Sequence, residues 1–340
     1  MYSFTLSQFA MLYEAANDLN DLADAVFMLV MLSVISSKMV NLIVKRKVIA
    51  GMMKSLQHDP FYPQDAEEFR IDSKAADNIN FFTLWYGIMT ESTCTMLTLA
   101  SFKRDIPRME LPYKAWMPFS ITSPMTFWIA YLHQTLGLYI AANVDIGFDS
   151  FVINMMMMTC VQLKILKHRI GKINHTMNSA QSSYKNLFSI VHQMHLETKL
   201  IANCTKHHIA ISEFADLQND TFGVSVFLQY CAGSLILCAS TFSVSQLEPF
   251  SADFMSLVIY VMCILIQIFI YCQYANEMTV ASESIRDAIY AMDWTSLTVN
   301  AQKSLIIIMA RTLQPIQFTI GHISLCLDSF SSVRTIIFSL

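Results

Sequence analysis

The sequence predicts an all-α protein of the membrane, and three observations lead to this prediction. Of its 340 residues, 54% are hydrophobic and only 14% are charged, with a mean hydropathy of +0.43. Soluble domains average about 45–50% apolar and about 25% charged residues. The 8 Gly and 8 Pro leave few turns for a many-stranded sheet. Several apolar runs also reach the roughly 20 residues that a helix needs to cross a bilayer.

Five apolar segments qualify clearly as membrane spans, and they are residues 22–44, 78–102, 115–163, 221–247 and 254–276. The first is apolar except for Asp24 and Lys38 near its ends, and the second carries Glu91. The third is long enough to continue beyond the bilayer, and Asp145 and Asp149 mark where we expect it to leave lipid. The fourth and fifth spans contain no charged residue. A charge at the centre of a span is costly in lipid, and the few charges of the other spans are compatible with membrane insertion.

A sixth span is predicted at residues 315–340, where Asp328 and Arg334 interrupt the apolar run. The six spans alternate with loops of very different charge. The loops after the first, third and fifth spans, with their flanks, hold seventeen Lys and Arg residues, against five elsewhere. Because Lys and Arg concentrate in cytoplasmic loops, the seventeen-charge side is predicted to be cytoplasmic.

On this map both visible termini lie outside the cell, although residues 1–13 show no signal peptide. A further span before the first would give seven spans, a cytoplasmic N-terminus and an external C-terminus. Between the third and fourth spans, apolar residues recur at three- and four-residue spacing, as they do in residues 282–309. This periodicity predicts amphipathic helices that continue the spans into the cytoplasm.

No motif of a catalytic site occurs in the chain. It has no nucleophile elbow, glycine-rich phosphate loop or paired catalytic carboxylates, so an enzyme is not expected. The eight cysteines are scattered without the spacing of a disulfide framework or zinc knuckle. A histidine-rich stretch lacks a second nearby cysteine, so we expect no metal or cofactor there: His192, His195, Cys204, His207 and His208. The net charge of −4 gives no sign of nucleic-acid binding.

A series of loose motifs, in a specific order and spacing, extends over essentially the whole chain. The motifs are KMVN at 38–41 with KRK at 45–47, PQDAEE at 63–68, CTKHHIA at 204–210 with Phe214, YCQ at 271–273, Glu283, AIY at 288–290 with Trp294, RTLQP at 311–315 and LCLDSF at 325–330. Together they resemble the insect odorant receptor family of seven-span, ligand-gated cation channels. The chain departs from the family in lacking its first span, of which residues 1–13 could be the end. It also stops short of the family's last turns.

The resemblance implies an inverted seven-span topology with a cytoplasmic N-terminus and a division of the chain into functional regions. These regions are a ligand-binding part with spans 2–4 at 1–162, cytoplasmic anchor helices at 163–220, spans 5 and 6 at 221–277, a second anchor helix at 278–314, and the pore-lining last span at 315–340. The family forms heterotetramers of an odour-tuned subunit with a shared co-receptor. The implied location is the plasma membrane of olfactory sensory neurons, in contact with lipid.

The resemblance also implies two sets of functional residues. Polar residues at helical spacing in the last span are expected to line the pore: Ser324, Asp328, Ser331, Ser332 and Thr335. The alternative is that they pack against neighbouring helices. A small volatile organic ligand needs a mostly apolar and aromatic pocket, expected in the outer halves of spans 2, 3, 4 and 6. The candidates are Phe27, Met28, Met31, Thr93, Met96, Phe127, Tyr131, Gln134 and Tyr260.

Other classes of protein fit less well. A G-protein-coupled receptor has an external N-terminus, which is the reverse of the charge map once a missing span is counted. A transporter would show inverted repeats or broken helices. A gustatory receptor of the same superfamily is the nearer alternative, although its final-span pattern is not seen in residues 336–340. The remaining alternative is a non-functional fragment or pseudogene product.

Overall fold

A computed structural model describes the chain at residues 2–14, 19–113, 115–120, 123–183, 188–246, 248, 251–320, 323–328 and 330–331. Within these residues the fold is almost entirely helical. The helices are α1 (Tyr2–Glu14), α2 (Leu19–Ser55), α3 (Ala66–Asp105), α4 (Pro124–Ser183), α5 (Phe188–Gln246), α6 (Ala252–Ala291) and α7 (Val299–Arg311). A two-stranded hairpin follows, with β1 (Thr319–Ile320) antiparallel to β2 (Ile323–Ser324).

Four of the described helices are long and apolar enough to cross a membrane. The qualifying stretches are Met28–Ser55, Pro124–Ser179, Met194–Thr241 and Phe254–Ala291. At 1.5 Å per residue, α4 with 60 residues and α5 with 59 are each about 90 Å long, roughly three times the hydrocarbon thickness of a bilayer. Both helices are therefore much longer than a membrane crossing requires, as long helices that continue the spans would be.

Helix α3 is less apolar along its length, because Glu91 and several Ser and Thr residues lie within it. One of its faces nevertheless exposes large apolar side chains at helical spacing: Phe81, Leu84, Trp85, Ile88, Met96, Leu99 and Phe102. Its opposite face buries Phe82, Tyr86 and Cys94 against the other helices. An exposed apolar stripe of this length is the surface that a helix presents to lipid.

Two boundaries differ from those expected from the sequence. The apolar run that begins at residue 115 enters helix α4 only at Pro124, because Pro118 and Pro124 prevent the helix from starting earlier. Residues 315–318 are extended chain and the strands β1 and β2 follow, so the helix expected from residue 315 does not begin there. The Ile316 N–H is held by Ser282 Oγ at 3.0 Å and Leu325 N–H donates to Phe318 O at 3.0 Å, so this segment packs as extended chain.

The core is unevenly distributed along the bundle. One large buried cluster runs from Phe82 and Phe148 through the centre to Leu305 and Phe318. Two small clusters lie at the other end, one around Phe4 and Leu32 and one formed by Cys94, Leu138 and Ala142. The Phe4 ring fits against Gly137, where an added Cβ would lie only 3.0 Å from it, so a larger residue would push the ring outward by a few tenths of an ångström.

Arg169 on α4 joins several elements in the part of the bundle that is predicted to be cytoplasmic. Its Nε and Nη2 donate to the two oxygens of Glu68 at 2.9 and 2.8 Å. Its Nη1 donates to Pro60 O and to His207 Nδ1, and Nη2 also donates to Tyr62 O. All five guanidinium N–H groups are thus used. They join the connection between α2 and α3 to both α4 and α5.

His207 on α5 has a fixed tautomer within this network. A guanidinium only donates, so Nδ1 of His207 accepts, and Nε2 must carry the proton that reaches Gln162 Oε1 at 3.0 Å. Burial, with the nearby positive charges of Arg169 and His208, lowers the pKa of His207 to about 3. The imidazole is therefore neutral at cytosolic pH.

The network predicts a large loss of stability when Arg169 is replaced. In Arg169→Met the Glu68 carboxylate, 3% exposed, stays buried without its partner. Breaking a buried ion pair in this way costs about 3–5 kcal/mol, so the melting midpoint of the detergent-solubilised protein should fall. Arg70→Met is the matched control, because Arg70 pairs with Glu67 on the surface. Equal melting midpoints for the two variants would contradict the assigned role of Arg169.

Acidification should destabilise the same region. The folded pKa of His207, about 3, lies below its ordinary value of 6.5, so only the unfolded chain binds the proton between these values. Stability is then lost as pH falls below about 6.5, by up to about 1.4 kcal/mol per pH unit. Burial also lowers the pKa of His208, which adds to the slope. Melting midpoints at pH 7.5 and 5 should differ less in His207→Gln than in the unmodified chain. An unchanged difference would exclude His207 as a source of this pH dependence.

Candidate functional site

A buried group of charges lies at the centre of the helical bundle. Lys38 of α2 is fully buried, and its Nζ donates to Asp145 Oδ1 at 2.6 Å and to Asp149 Oδ1 at 2.5 Å, both on α4. The Phe148 ring lies 5.3 Å from the same ammonium group. The sequence placed these charges near span ends and did not pair them. The signal was present, since ionisable residues within spans usually find one another.

Asp149 is the most fully bonded member of the group. It accepts from Lys38, from Tyr271 Oη at 2.8 Å, from Tyr86 Oη at 3.0 Å and from Gln267 Nε2. Four donors saturate the lone pairs of its two oxygens. These donors come from α2, α3 and α6, so one carboxylate on α4 ties four helices together at the same level of the bundle.

Two of the candidate ligand residues lie beside this cluster. Tyr260 of α6 donates its hydroxyl to Met31 Sδ of α2 at 3.6 Å. Both line a cavity of about 30 Å³ that also touches Asp145, Gln229 and Gln267. This volume suffices for one or two water molecules, whereas pockets for drug-sized ligands measure about 300–1,000 Å³.

A second set of candidates forms an aromatic layer nearer the outer end of α4. Phe127 and Tyr131 are 0% and 3% exposed, and their ring centres lie 5.9 Å apart, with Trp128 beside both. The Tyr131 hydroxyl lies 3.4 Å from Ser101 Oγ of α3. Thr93 of α3, eight residues before Ser101, is buried and donates its hydroxyl to Met89 O of the same helix. The layer is therefore apolar and aromatic with a few hydroxyl groups.

The remaining candidates of the ligand site have different environments. Gln134 is fully buried, and its amide is engaged with the backbone of Tyr113. Met28 packs between the two small outer clusters. Met96 is 53% exposed on the apolar stripe of α3, away from the other candidates. The side chain of Phe27 lies outside the part of the structure that is described.

The expected pore residues fall largely at the end of the described chain. Asp328 and Ser331 have exposed side chains in short helical turns. Ser324 is the second residue of β2, and its side chain is not among those described. Ser332 and Thr335 lie outside the described residues. The assignment of these five residues to a pore stays a prediction.

The part of the bundle predicted to be cytoplasmic contains two features that could hold a ligand. An open groove of about 630 Å³ runs between α5 and α7, with Ile201, Ile209 and Ala301 in its walls. Elsewhere, ligand atoms of Asp65, Glu68 and His168 lie within 4.8 Å of one another. Lys172 Nζ donates to Asp65 Oδ2 at 2.7 Å, and Arg169 forms an ion pair with Glu68. The cluster of Asp65, Glu68 and His168 is therefore part of an ion-pair network. Hydrogen bonds from Lys172 and from the Glu68 N–H hold the pKa of Asp65 well below its usual range.

The fold and these sites define a multi-pass α-helical membrane protein whose helices are longer than a membrane crossing requires. Comparison with known proteins identifies its family, because the profile described as 7tm Odorant receptor matches residues 18–338. The chain is 23% identical to Odorant receptor 46a, isoform A, of Drosophila melanogaster, covering 93% of this chain and 80% of that protein. It is 20% identical to Odorant receptor Or1 of Anopheles gambiae, covering 100% of this chain and 84% of that protein.

A similar structure is that of the olfactory receptor OR5 from Machilis hrabei, at a TM-score of 0.83 and 13% identity, covering 99% of this chain and 84% of that one. The complex of the same receptor with eugenol matches at a TM-score of 0.78 and 14% identity, covering 94% of this chain and 80% of that one. The chain belongs to the odorant receptor family of insects. The expected fold class is thereby confirmed. The family consists of receptors and not of enzymes.

The central cluster predicts an order of stability among charge variants. Lys38→Met leaves two buried carboxylates facing each other, which should cost about 3–5 kcal/mol. Adding Asp145→Asn to it removes one of those charges, so the double variant should melt at a higher temperature than Lys38→Met alone. Additive losses would instead make the double variant the less stable one. Thermal melting in detergent distinguishes these two outcomes. A melting temperature of the double variant below that of Lys38→Met would contradict the explanation by charge balance.

Proposed function

We propose that the chain is an odour-tuned subunit of a ligand-gated, non-selective cation channel, assembled with the odorant co-receptor in the plasma membrane of olfactory sensory neurons. The observation that carries the proposal is the buried aromatic layer at the outer ends of α3 and α4, in a chain that belongs to the odorant receptor family. A buried layer of this composition suits a volatile organic molecule with few polar atoms.

The ligand is proposed to bind among the outer parts of α2, α3, α4 and α6. Phe127 and Tyr131 supply aromatic surface, and the Tyr131 and Thr93 hydroxyl groups offer polar contacts. Eugenol, bound by the receptor of similar fold, is a small aromatic molecule of the kind that such a layer accommodates. Ligand binding opens the channel only if the ligand has higher affinity for the open arrangement of the helices.

The cytoplasmic helices are proposed to hold the subunits together. Helix α7 buries Ala301, Leu305 and Ile308 against the rest of the chain. Its other faces expose Val299 at 64%, Ile306 at 52% and Ile307 at 69%. The charges of the loops predict that α7 lies on the basic side of the membrane, where lipid would not cover it. Apolar surface of this extent in water favours contact with another protein chain, here the co-receptor.

The last span is proposed to line the pore. Its supporting features are the exposed carboxylate of Asp328 and the exposed hydroxyl of Ser331. Acidic side chains and hydroxyl groups attract cations and wet the wall of a pathway. The short turns at residues 327–328 and 330–331 place these side chains on the surface of the described chain.

Truncation of the aromatic layer tests the proposed ligand site. Phe127→Ala and Tyr131→Ala should each raise the concentration of odour that gives half-maximal current by about tenfold or more, since each loses buried aromatic contact worth at least ~1.4 kcal/mol. The measurement is the odour-evoked current in cells that also express the co-receptor. Ile129→Ala is the matched control on the same helix, because Ile129 is 51% exposed.

Two results would count against the proposal. Dose–response curves that are unchanged in both aromatic variants would place the ligand elsewhere. Absence of any current for a broad odour panel, with the protein at the cell surface together with the co-receptor, would reject the channel subunit itself.

A further inference from the structure

The connection between α3 and α4 does not stay at the outer ends of these helices. After a turn of 3₁₀ helix at Ile106–Arg108, Met109 adopts a left-handed backbone with φ of 55°, and Glu110 N–H donates to Asp105 O. Tyr113 then lies level with Gln134. That residue is ten positions inside α4, or about 15 Å below its first residue. The connection therefore descends into the bundle.

The tip of this descending connection is the Tyr113 ring. It packs against the cluster of Cys94, Leu138 and Ala142 on one side. On the other side it packs against the cluster around Phe4, whose ring centre is 6.1 Å away. Tyr113 therefore lies between the two small outer clusters, next to the candidates Met28 and Gln134.

Gln134 fixes the position of this tip through two hydrogen bonds. Its Oε1 accepts from Tyr113 N–H at 3.1 Å and its Nε2 donates to Tyr113 O at 2.9 Å. Non-helical backbone inside a bundle needs partners for both groups, because each unpaired one costs free energy. Trp116 N–H adds a third tie by donating to Ser7 O of α1. A side chain expected to contact ligand is instead fully committed to the connection.

We infer that Tyr113 is a displaceable plug in the ligand site and that Gln134 is its positioning residue. This pair determines the size of the odour molecules that bind and the odour concentration needed for a response. The inference rests on the proposed function. Near Met31 and Tyr260 the free space is about 30 Å³, too small for a volatile molecule of ordinary size. The ligand gains its volume when the Tyr113 ring withdraws from the outer clusters.

A plug that must withdraw lowers the apparent affinity, because only the fraction of receptors with the plug displaced binds ligand. Weakening the plug should therefore increase sensitivity, which is opposite to the effect of truncating a wall residue. Loss of two hydrogen bonds in Gln134→Leu should lower the half-maximal odour concentration by about tenfold. Tyr113→Ala should lower it as well and should favour bulkier odours. Tyr113→Phe should behave as the unmodified chain, because it retains the ring.

The position of the plug can be tested without odour or co-receptor. Cys94 is 6% exposed and belongs to the cluster that Tyr113 covers. N-ethylmaleimide is a small neutral reagent, and mass spectrometry of the peptides reports alkylation of each cysteine separately. The rate at Cys94 should rise at least several-fold in Tyr113→Ala and Gln134→Leu, while Cys160 and Cys272 in the large core provide internal references.

Matched controls separate a local opening from general destabilisation. Phe61→Ala and Gln162→Leu remove a similar buried ring and a similar buried amide in the cytoplasmic part. Neither should change the alkylation rate of Cys94. If Tyr113→Ala is not recovered in monodisperse form, Tyr113→Leu replaces it, since leucine keeps apolar volume without the ring.

The outcomes distinguish this inference from the proposed function. Odour-evoked currents in the unmodified receptor, together with unchanged Cys94 alkylation and unchanged sensitivity in both plug variants, overturn the inference alone. Faster alkylation in a chain that gives no current with any odour overturns the proposed function and leaves only a structural plug. Higher half-maximal concentrations in Tyr113→Ala would show that the ring is part of the wall and would also overturn the inference.

Discussion

The buried contact of Lys38 with Asp145 and Asp149 is the constraint on which the arrangement of the helices depends. A charge in the interior of a membrane protein is tolerated only when it is paired and hydrogen-bonded. Here the pairing brings together α2 and α4, and the remaining acceptor positions of Asp149 are filled from α3 and α6 by Tyr86, Gln267 and Tyr271. A shift of one helix turn in any of these helices would leave a buried charge or hydroxyl unpaired, so the contact specifies their register.

Helix α4 carries two further polar ties besides this one. Gln134 holds the connection from α3 near the outer end, and Arg169 holds the connection from α2 and the side chain of His207 in the cytoplasm. Asp149 and Arg169 are twenty residues apart on one helix, which is about 30 Å. Each tie satisfies irregular backbone or a buried charge that apolar packing alone could not accommodate. The connections between α2 and α3 and between α3 and α4 thus depend on side chains from one helix.

Hydropathy and the charge of the loops predicted most of this fold, because length and polarity decide whether a segment crosses lipid. They also predicted that the spans continue as cytoplasmic helices. The sequence did not reveal the contacts between distant segments. Lys38 and Asp149 are separated by 111 residues, and each was interpreted singly as a charge near the end of a span. Gln134 was expected to face ligand because polarity and depth do not show what a side chain bonds. Tyr113 was missed because it lies in a connection, although Pro118 and Pro124 indicate that no helix begins there.

The distribution of the core explains why the outer end is suited to admit a ligand. The large cluster extends through the middle and through the part predicted to be cytoplasmic, whereas the other end holds the two small clusters and the aromatic layer of Phe127 and Tyr131. Regions with few buried apolar contacts open at low free-energy cost, and binding sites are drawn from such regions. Because the ties at Asp149 and Arg169 are polar and saturated, the middle and inner parts resist the same opening. On the proposed function, a ligand that enters beside Tyr131 would displace the outer ends of the helices while their lower parts keep their register. Helix α4 is the continuous element shared by both regions.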